Sequence, residues 1–262
     1  MIFRCARVGF CLLAILAGMG VSIAASSDIH LSDAQALTIG KRIWKNECAG
    51  TVSGLTSWNK GENFASLGIG HFIWYPAGKP GPFEESFPKL VVFLKAKGQA
   101  VPHWLEGACV WNTREEFMHD FESARMVELR GILEKTIALQ ARFAALRLEQ
   151  ALDKMLKAAP ASERQKVQTN FYRVATESLG FYALMDYVNF KGEGTSPTER
   201  YNGQGWGLLQ VLERMPTTGP AVPAFADAAA AVLTQRVKNS PPARHEAQWL
   251  PGWKSRLHTY MQ

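Results

Sequence analysis

Glu62-Asn63-Phe64-Ala65-Ser66-Leu67-Gly68-Ile69-Gly70-His71 is the most informative stretch of this 262-residue chain. It follows the acidic residue Glu47 after an interval rich in glycine, serine, threonine and aromatic residues. Asn59-Lys60-Gly61 marks a turn before it, and Phe72-Ile73-Trp74-Tyr75 continues it as a further extended segment. The pattern predicts a short antiparallel hairpin with a third strand over residues 51–75.

A helix is predicted immediately before this hairpin. Ser32-Asp33 is typical of a helix N-terminus, and the helical pattern runs to about residue 48. Ala36, Ile39 and Ile43 share one helix face, and Glu47 occupies the next position on that face. A carboxylate at a helix C-terminus is disfavoured by the helix dipole, so Glu47 indicates a functional role rather than helix stabilisation.

The remainder of the chain has helical patterns. The capping-box sequence Thr113-Arg114-Glu115-Glu116 opens one of these helices. Helices are predicted near residues 84–97, 113–130, 131–158, 162–190 with a break near Gly180, 204–214, 223–238 and 252–261. The predicted fold class is therefore α+β, with a small antiparallel β-hairpin lobe and a larger helical lobe around a cleft.

The order of Glu47, the turn and the closing Gly-Ile-Gly-His resembles the beginning of phage-type lysozymes. The resemblance covers about residues 35–75. It implies a lysozyme-like fold in which Glu47 is the general acid of a glycoside hydrolase that cleaves β-1,4 bonds of peptidoglycan or a related amino-sugar polymer. Such an acid must hold its proton near neutral pH, which requires an apolar, poorly solvated environment.

The second catalytic group is less well defined. Phage-type lysozymes have an aspartate slightly earlier in the hairpin, where this chain has Asn59 and Lys60. Either Glu62 takes the water-activating role, or a single acid suffices, as in lytic transglycosylases. Ser66 matches a threonine that positions water or substrate in that family. We expect Glu62 and Ser66 to be catalytic on this basis.

Three further residues of the stretch are expected to be structural. Gly68 and Gly70 allow the hairpin to approach the helix closely. His71 is expected to tie the two lobes together as a buried or salt-bridged histidine.

A second region is predicted to form the opposite wall of the cleft. Gly207-Leu208-Leu209-Gln210-Val211 resembles the Gly-Leu-Met-Gln stretch of goose-type lysozymes and lytic transglycosylases. Aromatic faces and side-chain amides suit the apolar faces and hydroxyls of sugars, which predicts a substrate-binding set of Asn189, Tyr201, Asn202, Trp206 and Gln210. The alternative is an ordinary turn between helices with glycine caps.

The N-terminus has the pattern of a secretory signal peptide over residues 1–24. Arg4 and Arg7 precede an apolar run, and Ser22-Ile23-Ala24 supplies small residues for cleavage. We expect a periplasmic or secreted protein whose catalytic domain spans residues 25–262; an uncleaved anchor is the alternative. Cleavage lowers the formal net charge from +6 to about +4, too diffuse to suggest nucleic acid. We expect a monomer with no cofactor, no metal and no membrane association after cleavage.

Cys48 and Cys109 remain after such cleavage, and an oxidising compartment predicts a disulfide between them. The bond would close a loop of about 60 residues and stabilise the fold by about 4 kcal/mol. Two unpaired buried thiols are the alternative.

Other functions stay open. A cysteine–histidine amidase would use Cys48 with His71 or His103, although a helix C-terminus raises a thiol pKa. A serine hydrolase at Ser53 lacks the required spacing. A lysozyme-like protein that binds glycan or protein without cleaving is the non-enzymatic alternative.

Overall fold

The computed structural model describes residues 29–262, so the predicted signal peptide at 1–24 lies outside the described residues. The helices are α1 (Asp33–Glu47), α2 (Phe87–Ala96), α3 (Arg114–His119), α4 (Ala124–Lys135), α5 (Ile137–Ala158), α6 (Arg164–Ala175), α7 (Ser178–Lys191), α8 (Leu208–Arg214), α9 (Ala221–Asn239) and α10 (Leu250–His258). The strands are β1 (Thr56–Ser57), β2 (Ala65–Leu67), β3 (Phe72–Trp74), β4 (Arg200–Tyr201) and β5 (Gln204–Gly205). Helices combined with small antiparallel sheets confirm the α+β class.

Helix α1 begins and ends as predicted. The Ser32 hydroxyl accepts a hydrogen bond from the backbone of Gln35, whose side chain accepts one from Ser32, so that a complete capping box opens the helix. Its buried face packs against α5 and α7. The helix ends at Glu47, with Cys48 as the capping residue, and thereby delivers the carboxyl group to the hairpin.

The predicted hairpin is a three-stranded antiparallel sheet in the order β1-β2-β3. Ser66 lies opposite Ser57 and Ile73, so the three side chains share one face of the sheet. This is the more open face, since Ser57 and Ile73 are only half-buried. The other face is buried, with Leu67 and Phe72 opposite each other. Helix α2 packs on β3 and on the long helix α5, which joins the sheet to the helical lobe.

Several predicted helices have different bounds. The helix predicted over 131–158 begins at Ile137, because residues 131–135 belong to α4, and the break predicted near Gly180 falls at residues 176–177, between α6 and α7. The helix predicted over 113–130 is divided into α3 and α4, because Ser123 caps a new helix by accepting a hydrogen bond from the backbone of Met126. Residues 204–205 are strand rather than helix. They pair with β4 across Asn202 and Gly203, which both have positive φ, as the tight two-residue turn of a hairpin requires.

Of residues 29–262, no helix has both the length and the apolar character needed to cross a bilayer.

Candidate active site

Glu47 belongs to a cluster drawn from three distant helices. On α10, the Arg256 guanidinium donates from Nη2 to Glu47 Oε1 at 3.3 Å and from Nε to Asp186 Oδ2 at 2.9 Å. Asp186 lies on α7 and is fully buried, and the hydroxyl of Tyr260 donates a further hydrogen bond to it. One guanidinium group therefore faces two carboxyl groups.

This environment favours the protonated form of Glu47. Burial, hydrogen bonding to Asp186 and the negative charge of Asp186 raise the pKa of Glu47 from its ordinary 4.5 to about 7, although the charge of Arg256 acts in the opposite direction. The Glu47 side chain is 16% exposed. At neutral pH it can therefore hold a transferable proton while remaining partly accessible, which is what a general acid requires.

His71 contacts both Glu47 and its neighbour. Its Nδ1 lies 3.8 Å from Glu47 Oε2, and its Nε2 lies 3.8 Å from Cys48 Sγ. Burial lowers the pKa of His71, and Arg256 lowers it further, whereas the charge of Glu62 raises it. Because the His71 ring is neutral at pH 7 and Glu47 is only about half ionised there, the contact between His71 and Glu47 is polar packing rather than a full ion pair.

The loop between β2 and β3 is fixed by a buried glutamine. Gln140 on α5 accepts a hydrogen bond from the backbone of Ile69 at 2.9 Å and donates to Leu133 O at 2.6 Å. Gly68 has φ +73°, and a Cβ atom there would lie 2.3 Å from the Gln140 oxygen. At Gly70, a Cβ atom would lie 2.8 Å from the Phe72 ring. The glycines thus permit the close approach that brings His71 to Glu47.

Among the described hydrogen bonds and ion pairs, neither Glu62 nor Ser66 contacts Glu47. Glu62 accepts a hydrogen bond from Asn59 at 3.1 Å and lines a separate groove with Trp58. Its negative charge nevertheless raises the pKa of His71. Ser66 is 4% exposed and lies on the more open sheet face. Whether either residue acts on a substrate stays a prediction.

The predicted disulfide is wrong: Cys48 and Cys109 are free and buried. Cys48 Sγ lies 3.8 Å from the carbonyl oxygen of Gly68, at the end of the sheet where β3 begins. Cys109 pairs with Pro76, beyond the other end of β3. The four residue-to-residue steps from Phe72 to Pro76 extend over about 13 Å, whereas the Cα atoms of a disulfide lie within about 7 Å.

A cleft opens between the helical lobe and the end of the hairpin. Helices α5 and α7 form its sides, and the hairpin contributes Gly70, which precedes His71. Asn189 lines it about one helical turn after Asp186, and its contact with a substrate stays a prediction. The charged pairs Arg147–Glu84 and Lys154–Glu193, at 3.8 and 2.9 Å, lie around it. Gly70 and Met185, which line the cleft, are the sequence neighbours of His71 and Asp186, but Glu47 itself is not among the lining residues.

The structure gives Gln210 a role within the fold. Its amide oxygen accepts from the backbone of Gly207 at 3.1 Å, and its amide nitrogen donates to the carbonyl of Gly194 at 3.1 Å. A Cβ atom at Gly207 would lie 2.2 Å from Gly194 N. The Gly-Leu-Leu-Gln sequence therefore joins the loop after α7 to the start of α8. This role matches the alternative interpretation of the region, an ordinary turn between helices with glycine caps.

The predicted sugar-binding residues Trp206, Tyr201 and Asn202 also have structural roles within the fold. Trp206 is 8% exposed, with the Tyr201 ring 4.7 Å away and the Arg236 guanidinium 4.1 Å from its own ring. The Tyr201 hydroxyl donates to Glu246 at 2.9 Å. Asn202 is the turn residue of the β4–β5 hairpin. Of the predicted set, Asn189 alone lines this cleft.

Comparisons with protein-family models, with curated proteins and with solved structures found no match. The site must therefore be judged from its geometry. Within residues 29–262, no group of three or more histidine, cysteine, aspartate or glutamate side chains is arranged to hold a metal ion.

Sequence reasoning missed Arg256, Tyr260 and Gln140. Asp186 gives a usable signal, because a carboxylate between Leu184-Met185 and Tyr187-Val188 on an apolar helix must find a partner when buried. No local pattern indicates that this partner lies 70 residues later.

Proposed function

We propose that this protein is a lysozyme-like glycoside hydrolase, acting in the periplasm or after secretion on the glycan strands of peptidoglycan or a related amino-sugar polymer. The observation that carries this proposal is the environment of Glu47. A carboxyl group with a pKa of about 7 lies at the junction of a helix end and a glycine-rich hairpin, and the sequence neighbours of its partners His71 and Asp186 line a cleft. Protonation of the leaving oxygen at neutral pH requires such a group.

In the proposed mechanism, Glu47 gives its proton to the glycosidic oxygen as an oxocarbenium-like centre develops. Arg256 and Asp186 hold the carboxyl group in place, and the Arg256 charge stabilises the carboxylate that remains after proton transfer. In an inverting reaction, Glu62 activates the attacking water. In a lytic transglycosylase, the sugar's own 6-hydroxyl attacks the anomeric carbon and gives its proton to the Glu47 carboxylate, so no second carboxylate is needed.

The cysteine–histidine alternative is disfavoured by the same cluster. Cys48 and His71 are adjacent, but burial and the charge of Glu47 raise the pKa of Cys48 to about 12. The thiol therefore stays protonated at neutral pH and lacks the thiolate that nucleophilic catalysis needs.

Mass spectrometry of fragments released from purified sacculi tests the proposal and separates its two versions. Reducing-end products that disappear in both Glu47→Gln and Glu62→Gln support inverting hydrolysis. Anhydro-sugar products that persist in Glu62→Gln support a transglycosylase with a single acid. No released fragments from the unmodified protein would leave the non-catalytic glycan-binding protein as the better account.

A further inference from the structure

Phe83 is unusually exposed for a large aromatic residue. Its side chain is 59% exposed, and of the tryptophans and phenylalanines in residues 29–262 only Trp249, at 57%, is comparably open. It belongs to the loop between β3 and α2. Single exposed apolar residues are common on protein surfaces, so exposure alone indicates nothing.

Contacts with the hairpin hold the Phe83 ring in place, which distinguishes it from a freely moving surface side chain. The ring meets Phe64 edge to face, with centroids 6.0 Å apart at 82°, and Phe64 packs in the same way on Tyr75 at 5.4 Å. The Phe83 backbone donates to the Tyr75 hydroxyl at 3.2 Å. A Cβ atom at Gly81 would lie 2.4 Å from the Tyr75 ring, so glycine allows this packing.

The loop is also fixed to the sheet at its far end. Ser86 exchanges two hydrogen bonds with the backbone of Ile73, one from each residue, both at 3.0 Å. Glu85 accepts a hydrogen bond from the backbone of Tyr75 at 2.8 Å. Phe83 is therefore held in one orientation by the hairpin lobe, and an edge-to-face contact leaves ring surface open to solvent.

The position of Phe83 connects it to the proposed site. The next residue, Glu84, lines the cleft together with Gly70 and Asn189. Its ring partner Phe64 follows Glu62 and Asn63, which line the neighbouring groove. The residues next in sequence to the Phe83–Phe64 pair therefore line both the cleft and the groove that contains the candidate second carboxylate.

We propose that Phe83 is a stacking platform for one pyranose ring of the glycan, holding the polymer along the rim of the cleft. The inference rests on the proposed glycan-cleaving function. A pyranose presents an apolar C–H face that suits an exposed phenyl ring, while its hydroxyls at the edge suit the exposed amide of Asn63. One ring is too small a surface for stable protein docking.

The test measures binding of N-acetylglucosamine hexamer and of soluble glycan-strand fragments by calorimetry. It uses full-length protein carrying Glu47→Gln, so that no cleavage occurs. Adding Phe83→Leu keeps an apolar contact with Phe64 but removes the flat face, and should weaken binding about tenfold, equivalent to about 1.4 kcal/mol. Phe83→Trp should preserve or tighten binding. Trp249→Ala is the matched exposed aromatic control and should change nothing.

Thermal melting first establishes that each variant is folded. Equal affinity in Phe83→Leu and its parent would overturn the platform and leave the glycosidase proposal standing. An equal loss in Phe83→Leu and Trp249→Ala would also overturn it, since it would indicate unspecific contact. If the parent binds neither glycan, both the platform and the proposed function fail.

Discussion

Arg256 Nη2 lies 3.3 Å from Glu47 Oε1, while the same guanidinium group binds the fully buried carboxylate of Asp186. One positive charge can balance only one of the two carboxylates. Asp186 has the closer bonds and an additional one from Tyr260, so Glu47 is the carboxyl group that keeps its proton towards neutral pH. Stability, pH dependence and the proposed catalysis all follow from this competition.

Glu47 should make the free energy of unfolding depend on pH. Its pKa is about 7 in the folded protein and 4.5 ordinarily, so between these values the folded state binds more protons than the unfolded state. The free energy of unfolding therefore falls as pH rises through this window. Glu47→Gln lacks this pH-dependent loss. Its free energy of unfolding, compared with that of the unmodified protein at the same pH, should therefore rise by up to about 3 kcal/mol between pH 4 and pH 8.

Urea unfolding at both pH values measures this gain, and Glu115→Gln, an exposed carboxylate on α3, is the control. A stability difference between Glu47→Gln and the unmodified protein that does not change with pH would refute the raised pKa.

Removal of Arg256 should destabilise the fold strongly. Arg256→Gln leaves Asp186 buried without its cation, and breaking such a pair costs about 3 kcal/mol. Arg244→Gln is the matched comparison, because Arg244 is 60% exposed and lies 3.6 Å from Glu246, so its loss should cost less than about 1 kcal/mol. Chemical denaturation of both variants at pH 7 gives the two values. Similar values would mean that Asp186 does not depend on Arg256.

Both described cysteines should be reduced in protein prepared without reductant. Burial raises the pKa of Cys48 to about 12 and that of Cys109 to about 11, so both should react slowly with iodoacetamide at pH 8 and fully after unfolding. Peptide mapping locates the label at each position. A peptide pair linked through Cys48 and Cys109 would contradict the structure.

Substitutions of Gln210 should affect stability through two separate bonds. Gln210→Glu keeps an acceptor for Gly207 N–H but cannot donate to the Gly194 carbonyl, whereas Gln210→Ala loses both bonds. We expect Gln210→Ala to lower the free energy of unfolding by about 1–3 kcal/mol, with Gln210→Glu in between. If the residue instead binds sugar, glycan affinity would fall in these variants while stability stayed unchanged.

The sequence was sufficient where signals are local. The Ser32 cap and the apolar face of α1 predict its bounds, and the glycines before His71 predict a turn that closes on the helix end. Asn202-Gly203 is a strong hairpin signal that could have identified β4 and β5. Local chemistry thus accounts for the hairpin lobe and for the placement of Glu47.

The remaining features depend on long-range geometry. Arg256 and Asp186 are 70 residues apart, and no spacing rule links them. The prediction of a disulfide was wrong for a similar reason. Oxidising conditions and an even cysteine count do not indicate which end of the sheet each thiol occupies. Trp206 and Gln210 have side chains suited to sugars, but their partners within the fold are decided by packing.

The most direct test of the central claim is the rate at which soluble glycan fragments are released from purified sacculi by the unmodified protein and by Glu47→Gln. The account predicts release that declines as pH rises through about 7 in the unmodified protein. Glu47→Gln, which keeps the shape of the side chain without a transferable proton, should bind sacculi but release no fragments above background. Release by Glu47→Gln at a rate close to that of the unmodified protein would contradict the claim that Glu47 is the catalytic acid.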